Sequence, residues 1–180
     1  YGGKYGDWPE SMQVAAGNYI VSVRSGDFGK PAFASPQYGD SQCVVVEKGG
    51  IVNVGLVCRQ LNSGIRLSIA PAFLTAYPDG VLFLKAAEGR LMYSYSEKRV
   101  AYFKPGPVSL ILNRSGKDEV LMTRELAPQE ILVLGVGVSN VQSSSQGKGL
   151  TISVDTTRTW ISDRLTIGEG TVNSGVSPEK

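Results

Sequence analysis

Histidine is absent from the 180 residues of the chain. Its absence removes the commonest general base, the usual zinc ligand and both the Ser-His and the Cys-His nucleophile pairs. A cysteine nucleophile would need another cation to lower its pKa, and the only one adjacent in sequence is Arg59, next to Cys58. Neighbours on an alternating strand point to opposite faces, so this pair does not create a thiolate. We therefore expect a protein that is not an enzyme.

Motifs that bind ions or phosphates are also missing. There is no D-x-D-x-D-G cluster for calcium and no G-x-x-x-x-G-K-[ST] loop for nucleotides. The stretch AAGNYIVSVRSG (15–26) contains two glycines, but Gly17 precedes a strand pattern instead of following one into a helix. The aspartates lie in or beside predicted turns, which favours turn chemistry over the paired acids of a glycosidase. The sequence predicts no cofactor and favours no metal site.

Charged and apolar residues are both scattered along the chain. The 18 basic and 16 acidic residues leave a net charge of +2 without a basic run, so nucleic acid and anionic membranes are not expected partners. No segment approaches the ~20 apolar residues of a membrane span. The chain begins with Tyr1 and not with methionine, so we expect that an export signal has been cleaved or left out.

The two cysteines flank a predicted hairpin turn at Lys48-Gly49-Gly50. In that hairpin Cys43 and Cys58 share a face, but their registers are offset, which leaves their Cβ atoms roughly 7 Å or more apart. A disulfide requires about 4 Å. We therefore expect two buried free thiols.

Apolar residues recur with period two through most of the chain, a pattern typical of half-buried strands. Clear examples are Ile65 to Ile69, Val108 to Leu112 and Leu150 to Val154, whereas the fuller apolar runs 44–46 and 131–134 predict strands covered on both sides. Turn signals separate the strands at short intervals, as in a β-sandwich. Short helical pieces are expected only at 70–76 and 156–161. The sequence thus predicts an all-β sandwich.

A weak internal repeat predicts two small sandwiches in tandem. A strand after Gly17 and a hairpin about 25 residues later have counterparts in a strand after Gly106 and the segment APQEILVLGVGV. We divide the chain into an N-terminal β subdomain (1–61), a second β-sandwich (62–167) and a linker or tail (168–180), after which a further segment is expected. The first subdomain has too few strands for a complete sandwich. Either its first strands precede the given sequence or another segment completes it, and LTISVDT (150–156) is a candidate for that segment. Without such completion, an open strand edge would be ready to pair with another chain.

Aromatic residues supply the positive functional signal. Tyr1, Tyr5, Trp8 and Tyr38 are embedded in polar sequence rich in glycine and proline. Rings on loops can stack on sugars or anchor a protein partner. The alternative is that they fill the ends of the sandwich. We take Tyr5, Trp8 and Tyr38 as candidate contact residues, whereas Tyr93, Tyr95 and Trp160 are expected to pack inside.

Four sequence features together suggest a family. They are a G-x-Y strand opening at Gly17, a P-A-F-x-x-P-x-Y loop at 31–38, a hairpin with glycine near its turn, and V-C-x-x-x-N at 57–62. On these, residues 15–69 resemble a group of Bacteroides cell-surface proteins, typically secreted lipoproteins and often described as adhesins. One departure is Gly39, which follows Tyr38 directly where the family leaves one residue between them.

The resemblance implies export to the extracellular or outer-membrane surface, with a lipid anchor upstream of the sequence. It also implies the immunoglobulin-like or prealbumin-like sandwich of fimbrillin-type proteins, and it carries over no catalytic or binding residue. We expect a non-enzymatic cell-surface module for adhesion or surface assembly, with a protein or glycan partner. The alternative is a glycan-binding module of a polysaccharide-capture system.

Overall fold

Strands dominate the computed structural model, which describes residues 2–139 and the backbone of 149–155 and 165–166. The predicted all-β class is confirmed. A 3₁₀ turn (Tyr5–Asp7) and helix α1 (Pro71–Ala76) are the helical elements of the described residues, and neither of them has the length and apolarity to cross a membrane. The strands are β1 (Gly17–Arg24), β2 (Ala32–Phe33), β3 (Tyr38–Val46), β4 (Val57–Gln60), β5 (Ser63–Ile69), β6 (Val81–Ala86), β7 (Gly89–Tyr93), β8 (Ala101–Phe103), β9 (Gly106–Arg114), β10 (Lys117–Leu126), β11 (Ile131–Ser139), β12 (Gly149–Asp155) and β13 (Leu165–Thr166).

The chain divides into two compact units. The first contains residues 1–27, 38–59 and 162–180, and the second contains 28–37 and 60–161. The chain therefore leaves the first unit after residue 27 and returns to it at residue 38. The domain boundaries predicted from the sequence, 1–61, 62–167 and 168–180, stay a prediction.

The second unit is a β-sandwich. One layer has the strand order β10-β9-β6-β7, and the other has the order β12-β11-β5-β8-β2. Within the second layer β11 runs parallel to β5, with Ile131 opposite Gly64, whereas the other pairings with a described register are antiparallel. The period-two residues of both layers point inward and form one core with Phe73 of α1: Ile65, Leu67, Leu82, Leu84, Tyr93, Ala101, Phe103, Val108, Leu110, Leu112, Leu126, Leu132, Leu134 and Val136.

The first unit contains a single described sheet with the order β1-β3-β4-β13. Strand β1 pairs antiparallel with β3, and Gly17 lies opposite Val46 at one end and Arg24 opposite Gly39 at the other. Exposure alternates along β1, which has half-buried residues on one face and exposed residues on the other. The described part of this unit therefore provides one layer, where the sequence predicted a second sandwich. The immunoglobulin-like or prealbumin-like type stays a prediction.

The outer face of this sheet, formed by Asn18, Ile20, Ser22, Cys43 and Val45, is exposed. The prediction of two buried thiols is accordingly confirmed for Cys58 and wrong for Cys43, although both are free. The prediction that the run 44–46 is covered on both sides is wrong for Val45, which is 64% exposed. In both cases the strand was predicted correctly, and the error was to assume a second layer over the outer face.

The hairpin that was predicted around Lys48 is correct in its turn but not in its length. The amide of Gly50 donates to the carbonyl of Glu47 at 3.0 Å, and Gly49 has a φ of +75°, which favours glycine. Strands β3 and β4 are neighbours in the sheet, but β4 begins only at Val57. The connection therefore runs through residues that belong to no strand.

The C-terminal strands are distributed differently from the prediction. LTISVDT falls on β12, which pairs with β11 in the second unit, so the idea that it completes the first unit is wrong. Strand β13 pairs there instead, with Leu165 opposite Cys58. The short helix expected at 70–76 is confirmed as α1, while the expected helix at 156–161 and Trp160 within it lie outside the described residues.

Candidate functional site

The N-terminal segment, residues 2–16, is exposed throughout. Its 3₁₀ turn is closed by hydrogen bonds from the amide of Asp7 to the carbonyl of Lys4 at 3.0 Å and from the amide of Trp8 to the carbonyl of Tyr5 at 3.2 Å. Tyr5 begins the turn, and Trp8 is the extended residue that caps its C-terminal end. Tyr5 is 64% exposed and Trp8 is 37% exposed. Two predicted contact residues therefore lie on one short element.

Tyr38, the third predicted contact residue, lies at the other end of the same unit's β1–β3 pair. Its amide donates to the Ser25 hydroxyl at 3.0 Å, and its carbonyl accepts a hydrogen bond from the Ser25 amide at 2.8 Å. The ring is half-buried. The structure thus places Tyr38 in the sheet and Tyr5 with Trp8 in the N-terminal segment, and the role of all three as contact residues stays a prediction. Tyr1 lies outside the described residues.

The first unit carries most of the exposed apolar side chains. Nine of the fourteen large apolar residues that are exposed in the described part of the chain lie in this unit, although it contributes the fewer described residues. Ile20 is the one large apolar residue of its strand that is exposed, at 73%, and it lies directly opposite Cys43. The nine are Tyr5, Trp8, Met12, Val14, Ile20, Val45, Ile51, Val52 and Val54.

The other two predicted tyrosines have structural roles in the second unit. Tyr93 is 1% exposed and meets the Phe33 ring edge-on at 5.4 Å. Its hydroxyl donates to the carbonyl of Arg99 at 2.8 Å, and burial raises the pKa of this phenol. Tyr95 packs against the same core and donates to the carbonyl of Gly80. The prediction that the two tyrosines lie on one face of a packed sheet is confirmed for Tyr93, whereas Tyr95 follows the end of β7 and is half-buried.

Asn62 is a residue that the sequence analysis did not recognise as important. It is 2% exposed; its side-chain amide donates to the carbonyl of Ser35 at 2.9 Å, and its side-chain carbonyl accepts from the amide of Gln37 at 3.0 Å. The amide of Leu61 donates to the carbonyl of Gln37 at 2.7 Å. Asn62 therefore clamps the loop that connects β2 to β3. The signal was present in the sequence, because Asn62 ends the V-C-x-x-x-N motif and its partners lie in the P-A-F-x-x-P-x-Y motif.

The described polar side chains include a cysteine with a perturbed thiol and several ion pairs. Burial raises the pKa of the Cys58 thiol, and the negative charge of Asp40 raises it further, which disfavours the nucleophilic thiolate. No group of three or more metal-ligating side chains was found in the described part of the chain. The shortest ion pair of the described residues joins Arg99 to Glu97 at 2.6 Å, and hydrogen bonds from Arg99 lower the pKa of Glu97 to about 2. This pair is a local contact within the loop that follows β7.

Comparison with known families gives a match that covers most of the chain. Residues 2–168 match the family described as "Domain of unknown function (DUF4493)". The chain belongs to this family. No match was found among curated proteins or among solved structures.

The DUF4493 match extends over both units and includes the two motifs that the Asn62 clamp joins. It confirms membership in an uncharacterised family, which is the coarser part of the resemblance predicted from the sequence. The Bacteroides origin, the lipid anchor and the adhesin role are finer statements and enter below as proposals. For this DUF4493 domain, the candidate site is therefore the apolar surface of the first unit.

Proposed function

We propose that this DUF4493 domain is a non-enzymatic module of an exported bacterial cell-surface lipoprotein of the Bacteroides type, and that it serves adhesion or the assembly of a surface structure. The observation that supports the proposal is the concentration of exposed apolar side chains in the first unit. A partner that covers exposed apolar groups lowers the free energy by about 25 cal/mol per Å² of apolar surface removed from water. Exposed apolar side chains that lie together on a surface are typical of an interaction site.

The N-terminal segment is the part of this surface with the strongest anchoring side chains. Tryptophan and tyrosine are enriched among the residues that dominate binding energies. Tyr5 and Trp8 project from one turn, and Met12 and Val14 follow at 43% exposure each. An extended segment with anchors at this spacing fits a groove or a strand edge on a protein partner. We therefore place the primary contact on residues 5–14.

A binding assay with matched variants tests this proposal. Beads that carry the protein are incubated with immobilised extracellular-matrix proteins and with epithelial cells, and retention is measured. We expect the double variant Trp8→Ser/Met12→Ser to lose at least tenfold in retention. The control Leu74→Ser/Met92→Ser removes apolar side chains of similar exposure, 37% and 58%, from the second unit and should retain binding within twofold.

Two results would contradict the proposal. One is equal loss of retention in both double variants, because binding would then not depend on the first unit. The other is hydrolase or transferase turnover by the purified protein that a point mutation abolishes. Absence of retention on every surface tested also counts against an adhesive role.

A glycan is the second candidate partner, and the two exposed aromatic residues at the ends of the 3₁₀ turn favour it. Sugar rings stack on exposed aromatic faces, and Tyr5 and Trp8 are both exposed and lie three residues apart in sequence. A glycan array followed by titration calorimetry on the best hits tests this function. We expect Trp8→Ala to abolish the binding heat and Trp8→Phe, which keeps an aromatic face, to retain most of it. An array without hits, or a hit that Trp8→Ala leaves unchanged, removes the glycan alternative.

A further inference from the structure

Strand β1 has one edge that no described strand covers, since it is the terminal strand of its sheet. The hydrogen-bond direction along this edge follows from one contact. The amide of Ser25 points to β3 and donates to the carbonyl of Tyr38 at 2.8 Å. Backbone groups alternate in direction along an antiparallel strand, and the β1–β3 register is continuous from Gly17 to Arg24. The odd-numbered residues of β1 therefore bond to β3, and the even-numbered ones direct N–H and C=O outward.

Other sheet edges are protected in ways that β1 is not. Strand β2 has two residues, and β7 has five including Arg90. Strand β10 is interrupted by a register shift between Val120 and Met122 and carries Lys117, Asp118, Glu119, Arg124 and Glu125. Short length, charge and bulges are the usual means of preventing edge pairing. Among the edge strands whose side chains are described, β1 alone is long and uncharged up to its last residue.

We propose that β1 pairs antiparallel with β1 of a second copy of this chain, and that Ile20 lies opposite Ile20 of the second copy. Even-numbered residues form the hydrogen-bonded pairs in this register, so the outward N–H and C=O groups of Ile20, Asn18 and Ser22 all find partners. A two-fold axis at Ile20 satisfies both strands equally, as a symmetric dimer requires. The two four-stranded sheets become one continuous sheet.

Side chains and charges agree with this register. Directly opposed residues lie on the same face, so the two Ile20 side chains, each 73% exposed in the single chain, cover one another. Gly17 to Val23 contains no charged residue. Arg24 falls opposite Ala16, and its charge is paired with Asp27 at 3.0 Å. No like charges are therefore brought together.

The chain before β1 leaves this edge open. The Tyr19 hydroxyl donates to the carbonyl of Ala15 at 2.8 Å, and Tyr19 lies on the half-buried face of the strand. Ala15 is therefore held over that face and does not continue along the line of the edge. At Ala15 the chain therefore does not occupy the position of a second strand along this edge.

The native cysteines provide a test on the unaltered chain. Cys43 is exposed and lies opposite Ile20, whereas Cys58 is buried. In the proposed dimer the two Cys43 residues are three strand spacings apart, about 14 Å. A bismaleimide with a spacer of that length should produce covalent dimers from the wild-type protein, and Cys43→Ser should abolish them.

A proline variant tests the hydrogen bonds. Ser22→Pro removes an N–H that points to the open edge and leaves the bonds to β3 in place, because proline is tolerated at such positions. We expect it to weaken self-association, measured by light scattering over a concentration series, more than tenfold. Ser22→Ala keeps the N–H and should associate like the wild type. Circular dichroism and the thermal transition confirm that both variants fold.

Three results would overturn the proposal. A wild-type protein that stays monomeric at about 1 mM, or a dimer that folded Ser22→Pro leaves intact, excludes pairing through β1. Dimers in light scattering without Cys43 cross-links exclude the proposed register. None of these variants alters the N-terminal segment, so the failure of self-pairing and the failure of partner binding are distinguished.

Discussion

The two units use the same alternating strands in different ways. In the second unit the apolar faces of two layers meet, and all fifteen residues of the core cluster belong to it. In the first unit the described residues form one layer, and among them Cys58, 4% exposed, is the one buried apolar side chain. Burial of apolar area is the main source of stability. The comparison indicates that the second unit supplies most of the stability of the described chain and that the first leaves more of its apolar side chains exposed.

The largest expected difference between the units comes from a matched pair of isoleucines. Ile65 in the second unit is fully buried, and Ile51 in the first is 92% exposed. We expect Ile65→Ala to lower the free energy of unfolding by about 2–5 kcal/mol, because it leaves a cavity. Ile51→Ala should change it by less than about 0.5 kcal/mol. Urea denaturation measures both, and similar losses would refute the comparison.

The next effect concerns a buried polar residue. Asn62→Ala leaves the carbonyl of Ser35 and the amide of Gln37 without their side-chain partner, for an expected cost of about 1–3 kcal/mol. Faster hydrogen exchange at Gln37 should accompany the loss of stability. Asn53→Ala, at an exposed position of the first unit, is the matched control and should leave both measurements unchanged. Unchanged exchange at Gln37 in the Asn62 variant would show that the clamp does not hold the loop.

Two turn glycines with nearly the same backbone conformation allow the two units to be compared directly. Gly49 in the first unit and Gly116 in the second have φ values of +75° and +78°, and a Cβ would meet nothing within 4 Å at either position. Alanine costs about 1 kcal/mol in this conformation. We expect Gly116→Ala to lower the main unfolding transition and Gly49→Ala to increase hydrogen exchange in β3 with little change in that transition. Equal shifts of the main transition would show that both units unfold together.

The smallest effect is a pH dependence confined to the second unit. The pKa of Glu97 is about 2 in the folded chain, below its ordinary value of 4.5, because Arg99 stabilises the carboxylate. A lowered folded-state pKa adds stability above the ordinary value, and that stability is lost as the pH falls from about 4.5 to 2. At pH 6 the wild-type protein should therefore melt at a higher temperature than the Glu97→Gln variant. At pH 2 the two melting temperatures should be the same. Glu119→Gln, in an exposed pair with Arg114 at 3.3 Å, is the control.

Local pattern was enough to predict the strands, but not which strands would be covered. The alternation of Tyr19, Val21 and Val23 predicted one face of β1 correctly, and the same reasoning placed Ile65 and Leu67 in the core. Val45 has an equally apolar sequence context and is exposed. A period of two shows which residues share a face, whereas the presence of a second layer over that face depends on segments distant in sequence.

The candidate site divides in the same way. Tyr5 and Trp8 were predictable as exposed rings because polar, glycine-rich sequence surrounds them, and their exposure agrees. The motifs that contain Asn62 and its partners were visible in the sequence, but not the contact between them. Its partners Ser35 and Gln37 lie 27 and 25 residues away, beyond the reach of local pattern. The direction of hydrogen bonds along β1 likewise depends on which of its residues face β3.

The parallel pairing of β5 with β11 has a consequence for the order in which the chain acquires its structure. Strands β6 to β10 lie between these two in sequence, and the hairpins β6–β7 and β9–β10 need only short loops to close. Pairing Gly64 with Ile131 requires that the whole intervening segment be brought together, and the entropy lost in closing so long a loop slows folding. We expect the hairpins to form early and β11 to join last. During synthesis the sandwich would then remain open until the segment after β10 had been made.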